Sequence, residues 1–255
     1  MKICLINQPA GLGDIFYTQR IAHHFRSLGY DILFPVIKQY KWLADYMDSE
    51  GISFFSEETS FAGKELYCTR LNEPIISDTF CYLPLRYASH NVKTSRCQLL
   101  EAKYELVGLL SEASSWADSF SFKRNLKREC ELYYDVLGLK DGEDFIFSNR
   151  WIGSPDGNRS FLDHVKFDSR DIKVVEHDMF GDFTLFDWSM VLERAVQIHT
   201  PNTAFCFLID ALVTVAKSEN KFMYPRDNCC NINDNWDYMR NSLDSSKWTL
   251  KGKQV

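Results

Sequence analysis

Hydrophobic and polar positions follow one another along the chain in a pattern typical of an α/β fold. A continuous apolar run at residues 3–6 predicts a strand of a parallel sheet that is covered on both faces. Residues 32–37 and 52–55 predict two further strands. Between these runs, apolar residues recur with helical spacing at residues 15–28 and 42–49. The first strand, the first helix and the second strand therefore predict a right-handed βαβ unit.

The same alternation continues to the end of the chain. In the first half it predicts further strands at residues 66–68 and 81–85 and further helices at residues 97–110 and 123–137. In the second half it predicts strands at 145–147, 172–175, 196–198 and 222–224, helices at 188–195, 202–216 and 236–243, and a long polar loop at 150–169. Strands and helices that alternate in this way indicate parallel sheets with helices on their faces.

A polar segment with two glycines, residues 138–144, is the best candidate for a domain boundary. We therefore expect two Rossmann-like lobes, residues 1–140 and 141–255, that face a central cleft in an α/β fold. Ligands of such folds bind outside the carboxyl ends of the strands, so the cleft is the expected binding place.

Composition narrows the class of protein. The chain has 255 residues, a net charge of -6 and 45% hydrophobic residues, which is enough for a core. The acidic balance argues against a nucleic-acid partner, and no apolar run approaches the roughly 20 residues of a transmembrane segment. The eight cysteines are scattered without a Cys-x-x-Cys pair, so we expect reduced thiols and a cytoplasmic location.

The loop after the first strand is the first candidate site. Gly11, Leu12, Gly13 and Asp14 stand between a buried strand and a helix, where glycines permit a tight turn and close approach of a ligand. Asp14 has two interpretations: it caps the helix, or its carboxylate faces the cleft as a general base. Phe16 stands where a dinucleotide-binding loop has its third glycine, and no Gly-Lys-Ser/Thr of a P-loop follows.

A second candidate site lies between residues 186 and 204. The pattern predicts a helix, a short strand, a polar turn from His199 to Thr203, and another helix. Thr200, Asn202 and Thr203, together with free backbone N–H groups at the helix start, suit a pyrophosphate. The alternatives are plain capping of the helix by Thr200 or Asn202, and a structural role for His199.

Together the two segments resemble the heptosyltransferase-like branch (ADP-heptose:LPS heptosyltransferases) of the GT-B glycosyltransferases. The resemblance rests on Leu12-Gly13-Asp14 at the start and on the layout of residues 187–212. It implies that Asp14 deprotonates the acceptor hydroxyl and that the turn from His199 to Thr203 holds the donor diphosphate. The family usually has Asp-Ser-Gly and a histidine where this chain has residues 200–205, Thr-Pro-Asn-Thr-Ala-Phe, so the donor sugar need not be a heptose.

The expected reaction is an inverting glycosyl transfer without a cofactor. No Asp-x-Asp metal motif occurs in the sequence, so we expect a metal-independent site. A nucleotide-diphosphate sugar is the expected co-substrate, and a glycan hydroxyl is the expected acceptor. Arg150 is the candidate cation on the diphosphate, and Glu176 is the candidate acceptor of hydrogen bonds from a ribose or base. Their alternatives are a surface arginine and a solvated strand end. Lys103 and Tyr104 are further candidates for the border of the cleft, with core packing as the alternative for Tyr104.

Two other functions stay open at this point. A non-catalytic module that binds a nucleotide or sugar would need no base at Asp14. A nucleotide-sugar epimerase of GT-B type would need the sugar nucleotide but no acceptor.

Overall fold

The computed structural model of the chain describes residues 2–56, 73–88, 100–149, 151–153, 159–161, 172–177, 182–212, 220–224, 243 and 248–250. The described residues form two compact units, Met1–Lys123 and Arg124–Val255. The boundary between the units thus falls after Lys123, earlier in the chain than the boundary predicted between residues 140 and 141. Arg124 pairs with Glu193 of the second unit, so the segment just after Lys123 folds with that unit.

The first unit contains a five-stranded sheet. Its strands are β1 (Lys2–Ile6), β2 (Tyr30–Val36), β3 (Ile52–Ser56), β4 (Ile75–Ile76) and β5 (Phe80–Leu83). The strand order is β3-β2-β1-β5-β4. The first four strands in this order are parallel, and the short β4 is antiparallel to β5. The predicted βαβ unit is confirmed, with Ile3 of β1 in register with Asp31 of β2.

Short helices cover this sheet. They are α1 (Leu12–Tyr17), α2 (Gln19–Ser27), α3 (Leu43–Met47) and α4 (Glu101–Leu106), with short 3-10 segments at Lys38–Tyr40, Leu85–Tyr87 and Leu110–Ser119. The helix predicted over residues 15–28 is interrupted at Thr18, which has a ψ of 1°. The Thr18 hydroxyl and the Gln19 side-chain amide both donate to the carbonyl of Ile15. These local bonds compete with the regular helical pattern.

The second unit is also built on a five-stranded sheet. Its strands are β6 (Phe145–Ser148), β9 (Lys173–Glu176), β10 (Gln197–Pro201), β11 (Asn220–Tyr224) and β12 (Thr249–Leu250). The order is β12-β11-β10-β6-β9, and all neighbours are parallel. The sheet predicted for this half is therefore confirmed in its strands.

A hairpin replaces part of the long polar loop that the sequence predicted. Strands β7 (Trp151–Gly153) and β8 (Arg159–Phe161) pair in antiparallel fashion. Trp, Ile and Phe are residue types that favour strands, and the polar residues around them concealed this preference in the pattern. The loop prediction is wrong for these two short segments.

Three helical segments of the second unit are described. Helix α5 (Leu126–Cys130) continues as a π-helix at Glu131–Val136, helix α6 (Ser189–Arg194) follows a 3-10 turn at Leu185–Trp188, and helix α7 comprises Ala204–Ala211. The helix predicted at residues 123–137 is thus present with a change of pitch. The strand predicted at 66–68 and the helix predicted at 236–243 lie outside the described residues.

Each unit uses its apolar residues to build a core. Ile6, Phe16 and Tyr17 are fully buried in the first unit, and Phe147 and Leu208 are fully buried in the second. No helix in the described ranges combines the length and the apolar character needed to span a membrane. The described cysteines are free thiols: Cys4, Cys81 and Cys206 are buried, and Cys130 is partly buried.

Candidate functional site

The strand order creates a switch point in each sheet. In the first unit β1 has β2 on one side and β5 on the other, and in the second unit β6 has β9 on one side and β10 on the other. The connections leave these central strands in opposite directions, which opens a crevice at their carboxyl ends where ligands of α/β folds bind. Both candidate sites predicted from the sequence lie at these two places.

At the first switch point, the residues after β1 are bound to the end of β5. The backbone N–H of Asn7 donates to the Leu83 carbonyl at 2.8 Å. The Asn7 side chain donates to the Tyr82 hydroxyl at 2.8 Å, and the Asn7 carbonyl accepts from the backbone N–H of Arg86 at 3.0 Å. Asn7 and Gln8 are both buried, so this crevice has a fixed polar floor.

Asp14 lies beside this floor, in the first turn of α1. Gly11 precedes the helix and has a φ of +82°. Leu12 and Gly13 are the first two residues of the helix. The interpretation of Asp14 as the N-cap is therefore wrong, because the cap position belongs to Gly11. A Cβ atom on Gly11 would stand 2.6 Å from Oδ2 of Asp14, so the glycine makes room for the carboxylate.

A buried lysine is the partner of Asp14. Nζ of Lys103 lies 3.1 Å from Oδ1 of Asp14, and the two side chains are 4% and 25% exposed. Nζ also donates to Oε1 of Gln8 at 2.7 Å and to the Leu85 carbonyl at 3.0 Å. The sequence placed Lys103 only at the border of a cleft. The signal that identifies it more sharply is its position three residues after Leu100, on the apolar face of the helix.

Tyr104, by contrast, belongs to the core. It is fully buried, and its hydroxyl donates to the Tyr17 carbonyl at 2.6 Å. Burial raises the pKa of Tyr104 well above its usual range. The alternative of core packing is therefore confirmed for this residue.

At the second switch point, Asn149 joins the ends of β6 and β10. Its side-chain N–H groups lie 3.2 Å from the Thr200 hydroxyl and 3.3 Å from the Thr203 hydroxyl. Its backbone N–H donates to the His199 carbonyl at 2.8 Å. The sequence prediction did not include Asn149. A polar residue directly after an apolar strand run was the signal that could have found it.

The polar turn is shorter than predicted. His199, Thr200 and Pro201 belong to β10, so that Asn202 and Thr203 alone connect the strand to α7. Thr203 occupies the N-cap position in extended conformation, but its side chain makes no capping bond. Capping by Thr200 or Asn202 is therefore wrong. The Thr200 hydroxyl donates instead to the Pro201 carbonyl at 2.9 Å.

The His199 ring is packed within the sheet. Its Nδ1 lies 2.8 Å from the Tyr224 hydroxyl, and its Nε2 lies 3.3 Å from Oε1 of Gln197. The ring stacks on Phe222 with centroids 4.7 Å apart. Both ring nitrogens thus have protein partners, as in a structural histidine that supports the strand end.

Of the two remaining predicted residues, the structure describes Glu176, which lies at the same sheet edge. Glu176 is the exposed last residue of β9, in register with Ser148 at the end of β6. Arg150 lies outside the described residues and directly follows Asn149 in the sequence. Within the described part of the chain, no three His, Cys, Asp or Glu side chains are grouped as metal ligands would be.

Comparison with known proteins adds information on the fold. No family model matches the sequence, and no curated protein matches it. A solved structure does match: the glycosyl transferase family 9 protein from Veillonella parvula DSM 2008, with a TM-score of 0.53. The likeness is one of fold. The alignment covers 99% of this chain and 86% of the Veillonella chain at 10% sequence identity. A Rossmann-like α/β fold with parallel sheets is therefore common to this chain and the family 9 structure.

Proposed function

We propose that the chain is a glycosyltransferase that moves a sugar from a nucleotide-diphosphate sugar to a glycan hydroxyl, with inversion and without a metal ion. One observation carries the proposal: each sheet has a hydrogen-bonded polar cluster at its switch point, and the first cluster contains a partly exposed carboxylate, Asp14, on a buried ammonium. The fold likeness to a glycosyl transferase supports the reaction class.

In this proposal Asp14 is the general base. The acceptor oxygen forms a bond with the anomeric carbon while the bond from that carbon to the diphosphate oxygen breaks. The hydroxyl proton passes to the Asp14 carboxylate, and the diphosphate leaves with the bonding electron pair. A carboxylate suits this task, because the acceptor hydroxyl becomes more acidic as its oxygen bonds to the anomeric carbon and a weak base is then sufficient to take its proton.

The second unit would hold the donor. Thr203 is the better placed of the two threonines, because its side chain is partly exposed whereas Thr200 is fully buried and donates to Pro201. The Thr203 hydroxyl and the first backbone N–H groups of α7 would face the diphosphate, whose negative charge grows as it leaves. Arg150 would add a positive charge, and Glu176 would accept hydrogen bonds from the nucleoside.

The test begins with a thermal-shift screen of ADP, UDP, GDP and their glucose or mannose derivatives, because a bound nucleotide raises the melting temperature by mass action. The sugar nucleotide that stabilises the chain is then incubated with a panel of sugar acceptors, and release of nucleoside diphosphate is followed. Asp14→Asn should abolish transfer and leave both folding and the Kd of the nucleotide unchanged. Transfer that persists in Asp14→Asn would refute the base assignment.

The same assay separates the two alternatives. A wild-type chain that binds a sugar nucleotide and produces neither transfer nor a new sugar would be a binding module. Conversion of the sugar nucleotide without any acceptor would identify an epimerase. Transfer that depends on an added acceptor supports the proposal.

A further inference from the structure

The contact between Asp14 and Lys103 has a consequence for catalysis. We propose that Lys103 is a positioning residue, whose buried ammonium holds the Asp14 carboxylate aimed at the acceptor hydroxyl. This inference rests on the proposed function, since it assigns a role within the same reaction. It adds a residue from helix α4 to a site that the sequence motif placed on the loop after β1.

The first support is that the ammonium group of Lys103 is surrounded by protein oxygens. Three oxygens surround Nζ: Oδ1 of Asp14 at 3.1 Å, Oε1 of Gln8 at 2.7 Å and the Leu85 carbonyl at 3.0 Å. Two of the three N–H donors of an ammonium thus have acceptors in Gln8 and Leu85, and the Asp14 carboxylate is its ion-pair partner. The lysine is therefore held at one point, at the place where the ends of β1 and β5 meet.

The second support is that the same network fixes the loop in front of Asp14. The Gln8 amide that accepts from Lys103 donates to the Ala10 carbonyl at 2.6 Å. The next residue is Gly11, and Oδ2 of Asp14 lies close to the position that a Cβ atom of this residue would take. One carboxylate oxygen is thus paired with Lys103, and the other occupies the space that a side chain at residue 11 would fill.

The third support is the difference in exposure between the partners. Lys103 is 4% exposed and Asp14 is 25% exposed, so a substrate reaches the carboxylate and not the ammonium. Lys103 therefore acts through Asp14.

Fold stability alone is a weak reason for a lysine at this position. Replacing a buried ion pair by apolar residues of similar volume is often neutral or stabilising, because removing both charges from water is costly. Lys103 nevertheless stands on the apolar face of α4, next to the buried Tyr104. A role in the chemistry of Asp14 accounts for its presence.

The experiment compares Lys103→Met with Lys127→Met, which removes an exposed lysine from α5. Release of nucleoside diphosphate is measured with UDP-glucose, ADP-glucose and GDP-mannose on the acceptor panel. We expect kcat of Lys103→Met to fall about 100-fold, the loss that follows when a reacting group is displaced by about 1 Å. The Kd of the matching nucleoside diphosphate and all constants of Lys127→Met should equal those of the wild type. If circular dichroism shows that Lys103→Met does not fold, Lys103→Gln, which keeps an N–H donor without the charge, replaces it with the same expected loss.

Chemical rescue distinguishes positioning from packing. In Lys103→Ala, added methylamine should restore part of kcat by supplying an ammonium beside Asp14, whereas sodium chloride at equal ionic strength should not. A kcat that methylamine leaves at the level of the salt control overturns the inference, and so does a wild-type kcat in Lys103→Met. If the wild-type chain transfers no sugar, the proposed function fails and this inference fails with it. If the wild type and Lys103→Met are equally active, only this inference fails.

Discussion

The Tyr224 hydroxyl lies 2.8 Å from Nδ1 of His199, and this bond ties the carboxyl end of β11 to that of β10. Both side chains are buried. Asn202, which follows β10, repeats the connection by donating its backbone N–H to the Tyr224 carbonyl at 3.1 Å. The strand end that leads to the candidate donor turn is therefore held by Tyr224 through both its side chain and its backbone.

Tyr224→Phe tests this connection. Removing the hydroxyl takes away the hydrogen bond between Tyr224 and the buried His199, and losing one partner of a buried hydrogen bond costs about 1–3 kcal/mol. We expect the free energy of unfolding at about pH 8 to fall by that amount, measured by urea denaturation with tryptophan fluorescence. A variant as stable as the wild type would show that His199 does not depend on this bond.

Alkaline pH should weaken the wild-type chain through the same residue. Burial raises the pKa of Tyr224 from 10.0 to about 12. Above about pH 10 the unfolded tyrosine loses its proton while the folded one keeps it, so stability contributed by neutral Tyr224 is complete below pH 10 and falls towards pH 12. The stability difference between wild type and Tyr224→Phe should therefore be smaller near pH 12 than near pH 8. An unchanged difference would contradict the raised pKa.

Gly11 and Gly29 form a matched pair for testing the space around Asp14. Both have a positive φ, +82° and +87°, but a Cβ on Gly29 would meet no atom within 4 Å, whereas one on Gly11 would meet the Asp14 carboxylate. Gly29→Ala should cost only the backbone strain, about 1 kcal/mol. Gly11→Ala should cost more and should also lower the rate of transfer, because Asp14 must move. Equal melting temperatures and equal rates for the two variants would show that the carboxylate lies elsewhere.

The buried Glu129 should make Arg124 indispensable to the second unit. The guanidinium of Arg124 binds both oxygens of Glu129, which is fully buried, and also binds Glu193 at 2.8 Å. Arg124→Met leaves a buried carboxylate uncompensated, which costs about 3 kcal/mol or more. The double variant Arg124→Met with Glu129→Leu should recover most of this loss in urea denaturation. A double variant that is no more stable than Arg124→Met would contradict the pairing.

Asn149 should matter for nucleotide binding, although it is not in the predicted turn. Its amide orders the hydroxyls of Thr200 and Thr203, so Asn149→Ala should weaken binding of the nucleoside diphosphate about tenfold, equivalent to about 1.4 kcal/mol. Asn125→Ala removes an amide that accepts from Arg128 at the start of α5 and serves as the control. Calorimetry should show an unchanged Kd for the control, and an unchanged Kd for Asn149→Ala would argue against the donor site.

Local pattern accounts for the elements that the sequence predicts correctly. The strands β1, β2, β3, β6 and β11 all contain mainly apolar segments that the pattern identifies, since a parallel strand covered on both faces favours apolar residues. The place of Asp14 after β1 also follows from the sequence alone, because the glycine-rich segment must separate a strand from a helix. The end of β10 did not follow from the pattern, because His199, Thr200 and Pro201 continue the strand beyond the predicted residues 196–198.

Pairing across long stretches of chain was decided by the tertiary structure alone. Lys103 is far from Asp14 in sequence, and Asn149 is far from Thr203, yet both pairs meet because the strand order places the carboxyl ends of β1 and β5, and of β6 and β10, side by side. No local periodicity encodes which strands become neighbours. Apolar runs and glycine positions thus establish that a carboxylate and a polar turn follow buried strands. Which ammonium and which amide contact them depends on strand order, because those contacts exist only once the sheets have formed.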